Sequence, residues 1–471
     1  MRDEFRFDMV NLSCTHCCKE TAMNPDPDRQ AIIEQSVARY RKMLERQLPD
    51  DTATLEQIED AIEEIGRVVL PDLQEKIVNK RARKSRDNKI ACPCGGAARY
   101  RSMGTRALVT RHGLLAWCRP TYYCSACHKG CAPLDASLGL DRADTTPAVR
   151  EWVTLLAPSQ DFVEITKTLR KMRGIELSAS TVERIAVSVG TKLREAQVGE
   201  AALHKADRLP DRRTPCPRRL YVGADGVMAP MRDPWKKNGS LGKLNCRFGE
   251  CKTGVVYETY TDRAGRDSRV STRAYVATTK DVETFEPLLG TLAHRCGHHA
   301  AKEVIVLGDG AAWIWNMLAR QFPFGIQILD FYHACDHISV VAERMFGKGS
   351  DAGKQWQKQR QADLKDNGVK RVIAAISDWK PENDEDREVQ RTQVNYFTEN
   401  AERMRYKTYL ERGYHIGSGV VEATCKHVVA QRVDRAGMHW RPETADAIIA
   451  LRANQRSTNQ TDLRPYLTMT A

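Results

Sequence analysis

Two short apolar runs that each end in Asp-Gly constrain this chain most. Tyr221-Val-Gly-Ala-Asp225-Gly226 and Val304-Ile-Val-Leu-Gly-Asp309-Gly310 read as buried strands with a carboxylate at the carboxyl end. A carboxylate against an apolar strand is expensive to leave unpaired, and a metal ion is one solution. A strand-end Asp before Gly is also a common turn residue, so neither acid says much alone. A third acid, Glu422, falls on the helix expected after His415-Ile-Gly-Ser-Gly419. Ser418 can cap that helix, and the glycines allow a close backbone approach. The order strand-Asp, strand-Asp, helix-Glu is far more specific than any one member. Two-metal cleavage and joining of phosphodiesters needs such carboxylates around two Mg²⁺ or Mn²⁺ ions about 3.5–4 Å apart.

The surrounding pattern is mixed α/β. Residues 221–231 read as a strand with a turn, and 251–262 and 271–280 as two more strands around an arginine-rich loop over 263–273. A helix near 281–294, a strand ending at Asp309, a helix from Ala311 to Gln321 and a strand into Asp330-Phe-Tyr-His333 follow. Residues 336–412 are almost wholly helical, with Trp356 and Trp379 as expected core anchors. At 471 residues the chain has room for two to four domains. Its 41% hydrophobic and 28% charged residues exclude a fibrous repeat, a mostly disordered chain and a membrane channel. There is no apolar run long enough to span a bilayer, and the first residues lack the apolar run of a signal peptide. The expected compartment is therefore reducing and cytoplasmic, in a prokaryote beside the nucleoid. There the 15 cysteines read as metal ligands or buried thiols rather than disulfides.

Four of them stand out. Cys92-Pro-Cys94 and Cys124-Ser-Ala-Cys127 are two close thiolate pairs with 29 residues between them. Such pairs on turns complete a tetrahedral Zn²⁺ site, and the strand-forming residues between them suggest a zinc ribbon. Reduced, unliganded thiols are the plainer alternative, and Cys118, His128 and Cys131 are spare ligands. Cys14, His16, Cys17 and Cys18 supply half of a second site at most.

Lys plus Arg number 73 against 61 Asp plus Glu, a net charge of +12, which favours a polyanionic partner such as double-stranded DNA. Residues 76–89 hold seven Lys or Arg and one Asp, among them Lys80, Arg81, Arg83 and Lys84. They read as a phosphate-contacting arm or a solvated helix end. The segments Asp161–Arg170 and Ala179–Leu193 have helix-turn-helix proportions. In that case Ser180, Thr181, Glu183 and Arg184 open the recognition helix; the alternative is a plain helical spacer. Residues 208–219 carry three prolines and five arginines and read as a linker.

The stretches YVGADGVMAPM, VIVLGDGAAWIWNMLARQFP, ILDFYHACDHI and GYHIGSGVVEATCKHVVAQRVDRAGMHW resemble the ISKra-type insertion-sequence transposases. The resemblance covers roughly residues 220–455. It implies a DDE enzyme with a ribonuclease H-like catalytic core, and Asp225, Asp309 and Glu422 as its metal-binding triad. It also implies an all-helical insertion at 346–412, which explains the 113 positions from Asp309 to Glu422 against 84 from Asp225 to Asp309. His333 and Lys426 are implied neighbours of the active site. Arg432 and Arg435, before His439-Trp440, are expected at the DNA, with a helix end packed by Trp440 as the alternative. The expected organisation is a helical region at 1–89 that can dimerise, a zinc ribbon at 90–135 and a helix-turn-helix-like segment at 136–207. The core follows in two parts, 208–345 and 413–456, around the insertion, with a tail at 457–471. Such an enzyme binds the terminal inverted repeats of its element, cuts DNA and joins it to a target, as a homodimer or larger assembly. A domesticated DNA-binding protein that no longer cuts, or another ribonuclease H-like nuclease, are the competing expectations.

Overall fold

The computed structural model describes residues 27–83, 87–140, 143–211, 217–232, 246–262 and 266–468. Cys14, His16, Cys17, Cys18 and Lys84 lie outside them. The chain forms two compact units, one of Met1–Ala107 with Leu114–Leu138, the other of Leu108–Gly113 with Gly139–Ala471.

In the first unit, α1 (Pro27–Gln47) and α2 (Leu55–Arg83) pack as an antiparallel pair. Thr54 and Gln57 start α2 with a reciprocal capping box: each side chain accepts the other's backbone N–H, at 3.3 and 2.8 Å. Pro71, expected to punctuate the pattern, lies inside α2 and does not end it. Contacts from α1 grip both sides of it, Tyr40 Oη donating to the Val69 carbonyl and Arg39 pairing with Asp72. The strands β1 (Lys89–Ala91), β2 (Ala97–Thr110), β3 (Gly113–Cys124) and β4 (Lys129–Cys131) follow in sheet order 1-2-3-4. The short helix α3 (Pro133–Ser137) closes the unit.

The second unit starts with α4 (Pro147–Leu156), α5 (Phe162–Arg173) and α6 (Ala179–Lys205). Asp161 caps α5, Gly174 ends it with φ +63°, and Ser178 caps α6 by accepting the Thr181 N–H. The expected stop of the last helix at Leu193 is wrong, because α6 runs on to Lys205. Its Val182, Ile185, Val189 and Leu193 share one buried cluster with Ile448 and Leu451. The segment 136–207 is therefore built into the second unit. At Gly190 a Cβ would lie 2.3 Å from the Ala447 carbonyl oxygen, so only glycine allows that close approach.

The main sheet consists of β5 (Arg219–Arg232), β6 (Cys246–Thr261), β7 (Asp267–Thr278), β8 (Glu303–Gly308) and β9 (Ile326–Leu329). Its order is β7-β6-β5-β8-β9. The first three strands form an antiparallel meander, and β8 and β9 run parallel to β5. Helix α7 (Val282–Arg295) crosses between β7 and β8, and α8 (Ala312–Gln321) between β8 and β9. Next come α9 (Phe331–Phe346), α10 (Asp351–Lys365), α11 (Val369–Ser377), α12 (Asp384–Glu399) and α13 (Tyr406–Glu411). Trp356 and Trp379 are half-buried against the larger hydrophobic cluster, which joins the sheet to α7, α8 and α9. The chain then returns to the sheet through α14 (Gly419–Thr424), a π-helical stretch at Cys425–Ala430, α15 (Gln431–Val433) and α16 (Pro442–Arg456). The fold is thus mixed α/β with two sheets.

Candidate active site and metal centres

The register of β5 on β8 sets two acids side by side. Gly223 pairs with Leu307. Asp225 and Asp309 each lie two residues beyond this last pair, close enough for the charge of Asp309 to act on Asp225. Contrary to expectation, β5 does not end at Asp225. Its pairing with β8 stops at Gly223, and it continues to Arg232 as a ribbon with β6. Asp225 therefore sits where the sheet opens.

Its carboxylate is held from both sides. Oδ1 accepts the Gly226 N–H at 2.6 Å, and Oδ2 accepts the Cys425 thiol at 3.1 Å. The buried Thr253 hydroxyl donates to the Asp225 carbonyl and lies 3.2 Å from the Cys425 sulfur. Burial pushes the Asp225 carboxyl above its ordinary pKa, and the charge of Asp309 adds to that. The Cys425 hydrogen bond and nearby His333 pull the other way. Asp309 follows β8 directly. Its Oδ1 accepts the Ala311 N–H at 2.9 Å, and its carbonyl accepts the Tyr396 hydroxyl at 3.2 Å.

Glu422 stands exposed on α14, and that helix lies on β5. A Cβ at Gly223 would meet Val421 Cγ2 at 2.3 Å. Cys425, three residues on, is the thiol that touches Asp225. Ser418, expected to cap this helix, does not cap it. Its hydroxyl donates to the buried Asp330 and lies 3.4 Å from Glu422 Oε1. Asp330 also caps α9 through the Tyr332 N–H at 2.8 Å, while the Phe331 N–H bonds the Ile416 carbonyl. The loop before Glu422 is thus tied to the end of β9. His333 is half-buried, with its ring 5.0 Å from His337, which in turn stacks on Tyr396 at 3.6 Å. Lys426 is exposed at the start of the π-helical stretch and forms no ion pair with Glu422. Asp330, Cys425, Thr253 and Tyr396 join the site without having been expected there. Only Asp330, a third acid after an apolar strand, carried a sequence signal.

Among the described residues, ligand atoms lie within 4.8 Å of one another in two sets, Cys92-Cys94-Cys124-Cys127 and His294-His298-His299. Asp225, Asp309 and Glu422 do not form such a set. The cysteine set can hold a metal. Cys92 and Cys127 Sγ are 3.7 Å apart, as are Cys94 and Cys124. A tetrahedron with Zn–S bonds of about 2.3 Å has edges of about 3.8 Å. The backbone N–H of Cys127 outweighs burial and draws the Cys124 thiol down to about 7, toward the thiolate a metal needs. Cys118 and His128 turn elsewhere, to Thr105 and Tyr123.

Of the expected DNA contacts, Arg432 is overturned. It is wholly buried, donates to the Ala157 carbonyl at 2.8 Å and lies over the rings of Phe162 and Trp440. It packs the helix end and cannot reach a phosphate. Arg435 is exposed, though its guanidinium bonds the carbonyls of Gln431 and Ser159. Ser180 and Arg184 are exposed at the start of α6, and Thr181 is half-buried there. Arg81 is exposed near the end of α2 and Lys80 half-buried; of Arg83 only the backbone is described.

Residues 52–465 match the model of a family described as Uncharacterised protein family (UPF0236). A protein of Streptococcus gallolyticus, named UPF0236 protein in vanSb 3'region, is 25% identical over 343 residues. The match covers 70% of this chain and 68% of the relative. Among solved structures, the Drosophila P element transposase strand transfer complex matches over 71% of this chain and 86% of that one. The identity is 11% and the TM-score 0.25, which is too low to argue from. No helix among the described residues is long and apolar enough to cross a membrane.

Proposed function

The chain belongs to the UPF0236 family, and we propose that it is a DDE transposase: an enzyme that cuts DNA at the ends of a mobile element and joins them to a target. One observation carries this reading. Asp225 and Asp309 follow the last paired residues of neighbouring parallel strands and interact electrostatically, and α14, which carries Glu422, packs on the same strand. The mixed sheet, with acids after β8 and β9 and within β5, supports a ribonuclease H-like core.

Asp225, Asp309 and Glu422 offer only hard oxygen donors, which suit Mg²⁺ or Mn²⁺. Such ions activate water or a 3′-hydroxyl and stabilise the leaving oxygen. The chain's own residues prepare the site. Asp225 and Asp309 repel each other, which favours a cation between them. Tyr396 fixes the backbone of Asp309, and Asp330 fixes the loop that leads to Glu422. His333 contributes an imidazole beside Asp225, within reach of a phosphate or a displaced base. Glu422 is exposed, so a polymer can enter from its side.

DNA contacts are proposed at Ser180, Thr181, Arg184 and Arg435, and at Lys80, Arg81, Arg83 and Lys84. The faces of α1 and α2 leave Val37, Leu44, Leu55 and Ile62 exposed, which supports association of copies through this region. The test is direct. The full chain is incubated with duplexes that carry the sequences flanking its own gene. Mg²⁺-dependent nicks and joined products are expected, and Asp225→Ala should yield neither. Binding without any cleavage by the intact chain would turn the reading to a DNA-binding protein that no longer cuts.

A further inference from the structure

A second cluster lies at the opposite end of β8 from Asp309. Helix α7 ends at Arg295, and Gly297, with φ +83°, turns the chain so that His298 and His299 fold back toward His294. The ligand nitrogens of these three histidines lie within 4.8 Å of one another. Asp211, after α6, reaches in from elsewhere in the chain. Its Oδ1 is 3.2 Å from His294 Nε2 and 3.3 Å from His299 Nε2. These separations match a coordination edge, since bonds of about 2.0–2.1 Å in a tetrahedron give edges of about 3.3 Å.

His294 Nε2 is buried and faces Asp211, and His298 Nδ1 is buried within the same cluster. His204 stacks on His294 at 4.7 Å, but Thr291 engages its Nδ1.

We propose that His294, His298, His299 and Asp211 bind one transition-metal ion of the zinc type. Three imidazoles and a carboxylate are a donor set that zinc accepts, and the absence of sulfur among them disfavours softer ions. The six residues of β8 separate this site from Asp309 by about 20 Å at about 3.3 Å per residue. The ion therefore does not serve the acidic site. It joins the segment that follows α6 to the end of α7, just before β5 begins, and does so whatever reaction the acids perform.

Zinc content per chain is the readout, measured on the full-length protein after loading with Zn²⁺ and dialysis. His298→Asn with His299→Asn should lose one equivalent relative to the parent. Cys94→Ser with Cys127→Ser should lose a different one, and the four changes together should lose both. Equal zinc in the parent and the histidine variant overturns the site. Should the histidine variant fold poorly by circular dichroism, footprinting of the parent with diethyl pyrocarbonate decides. Zinc should shield His294, His298 and His299, and a chelator should expose them. The same labelling with and without zinc also overturns it.

Discussion

The four cysteines and the three acids reach their sites by different routes. Each cysteine pair belongs to one turn, Cys92 and Cys94 between β1 and β2, and Cys124 and Cys127 from the end of β3 to the turn before β4. A sheet of four adjacent strands then brings two turns together, and the sulfurs already stand at a zinc tetrahedron's edge. The acids come from a strand, a strand end and a helix, 84 and 113 positions apart. In the proposed reading, the pairing of β5 with β8 and the packing of α14 on Gly223 bring them toward one another. They do not meet the close spacing of the sulfurs. A structural metal site closes around its ion, whereas the proposed catalytic one would keep positions open for substrate.

The comparison predicts opposite responses to damage. The largest effect belongs to the acids. Asp309→Asn should lower strand cleavage by about 10³-fold or more and leave folding and DNA binding intact. Undiminished cleavage in a gel assay would remove Asp309 from the site. At the cysteines the loss should be structural. Binding of zinc to such sets is worth about 10–16 kcal/mol in metal-coupled folding, so Cys124→Ser should release zinc and melt the small sheet. Unchanged zinc by elemental analysis would take Cys124 out of the ligand set.

Gly223→Ala tests whether the helix on β5 positions Glu422. The added methyl collides with Val421, and a shift of about 1 Å in a catalytic group can reduce the rate about 10²-fold. Stability should fall by only about 1–3 kcal/mol. Normal turnover in that variant would break the link between packing and the third acid. Arg432→Ala should destabilise by about 2–4 kcal/mol through lost packing and an orphaned carbonyl, with DNA affinity unchanged. Arg184→Ala should do the reverse, reducing the slope of log affinity against log salt by about 1. Weaker DNA binding by a folded Arg432→Ala protein would reopen its reading as a contact.

The smallest effect is in pH. Burial and Asp309 raise the folded-state pKa of Asp225 above its unfolded value. The fold then holds a proton that the unfolded chain releases, so this group's contribution to stability falls as pH rises from the ordinary carboxylate range through the raised pKa. In metal-free buffer, Asp225→Asn should melt higher than the parent at neutral pH and lose that advantage toward acid. A difference that does not vary with pH would mean that Asp225 is not strained.

What the sequence shows follows chain distance. The cysteine spacing is readable because both pairs are local, and so is the apolar run of β8 into Asp309. The end of β5 is misread because Gly226 interrupts the apolar pattern, while pairing with β6 carries the strand on. The length of α6 is misread because its regular buried apolar stripe ends at Leu193, while packing against α7 accompanies the helix on to Lys205. Arg432 looks like a surface cation. Nothing near it in the sequence announces that Phe162 will cover it. The His294-Arg-Cys-Gly-His298-His299 run carries a usable ligand spacing, but Asp211 joins it only through the fold.

Tyr396 has a consequence for engineering. It belongs to α12, in the helical stretch between the second and third acids, and its ring fills the space beside Gly310 while its hydroxyl holds the Asp309 carbonyl. A stretch that would look dispensable to anyone trimming the chain supports the backbone of one of the proposed catalytic acids. A shortened version joined across its base would keep every acid and lose the scaffold behind one of them.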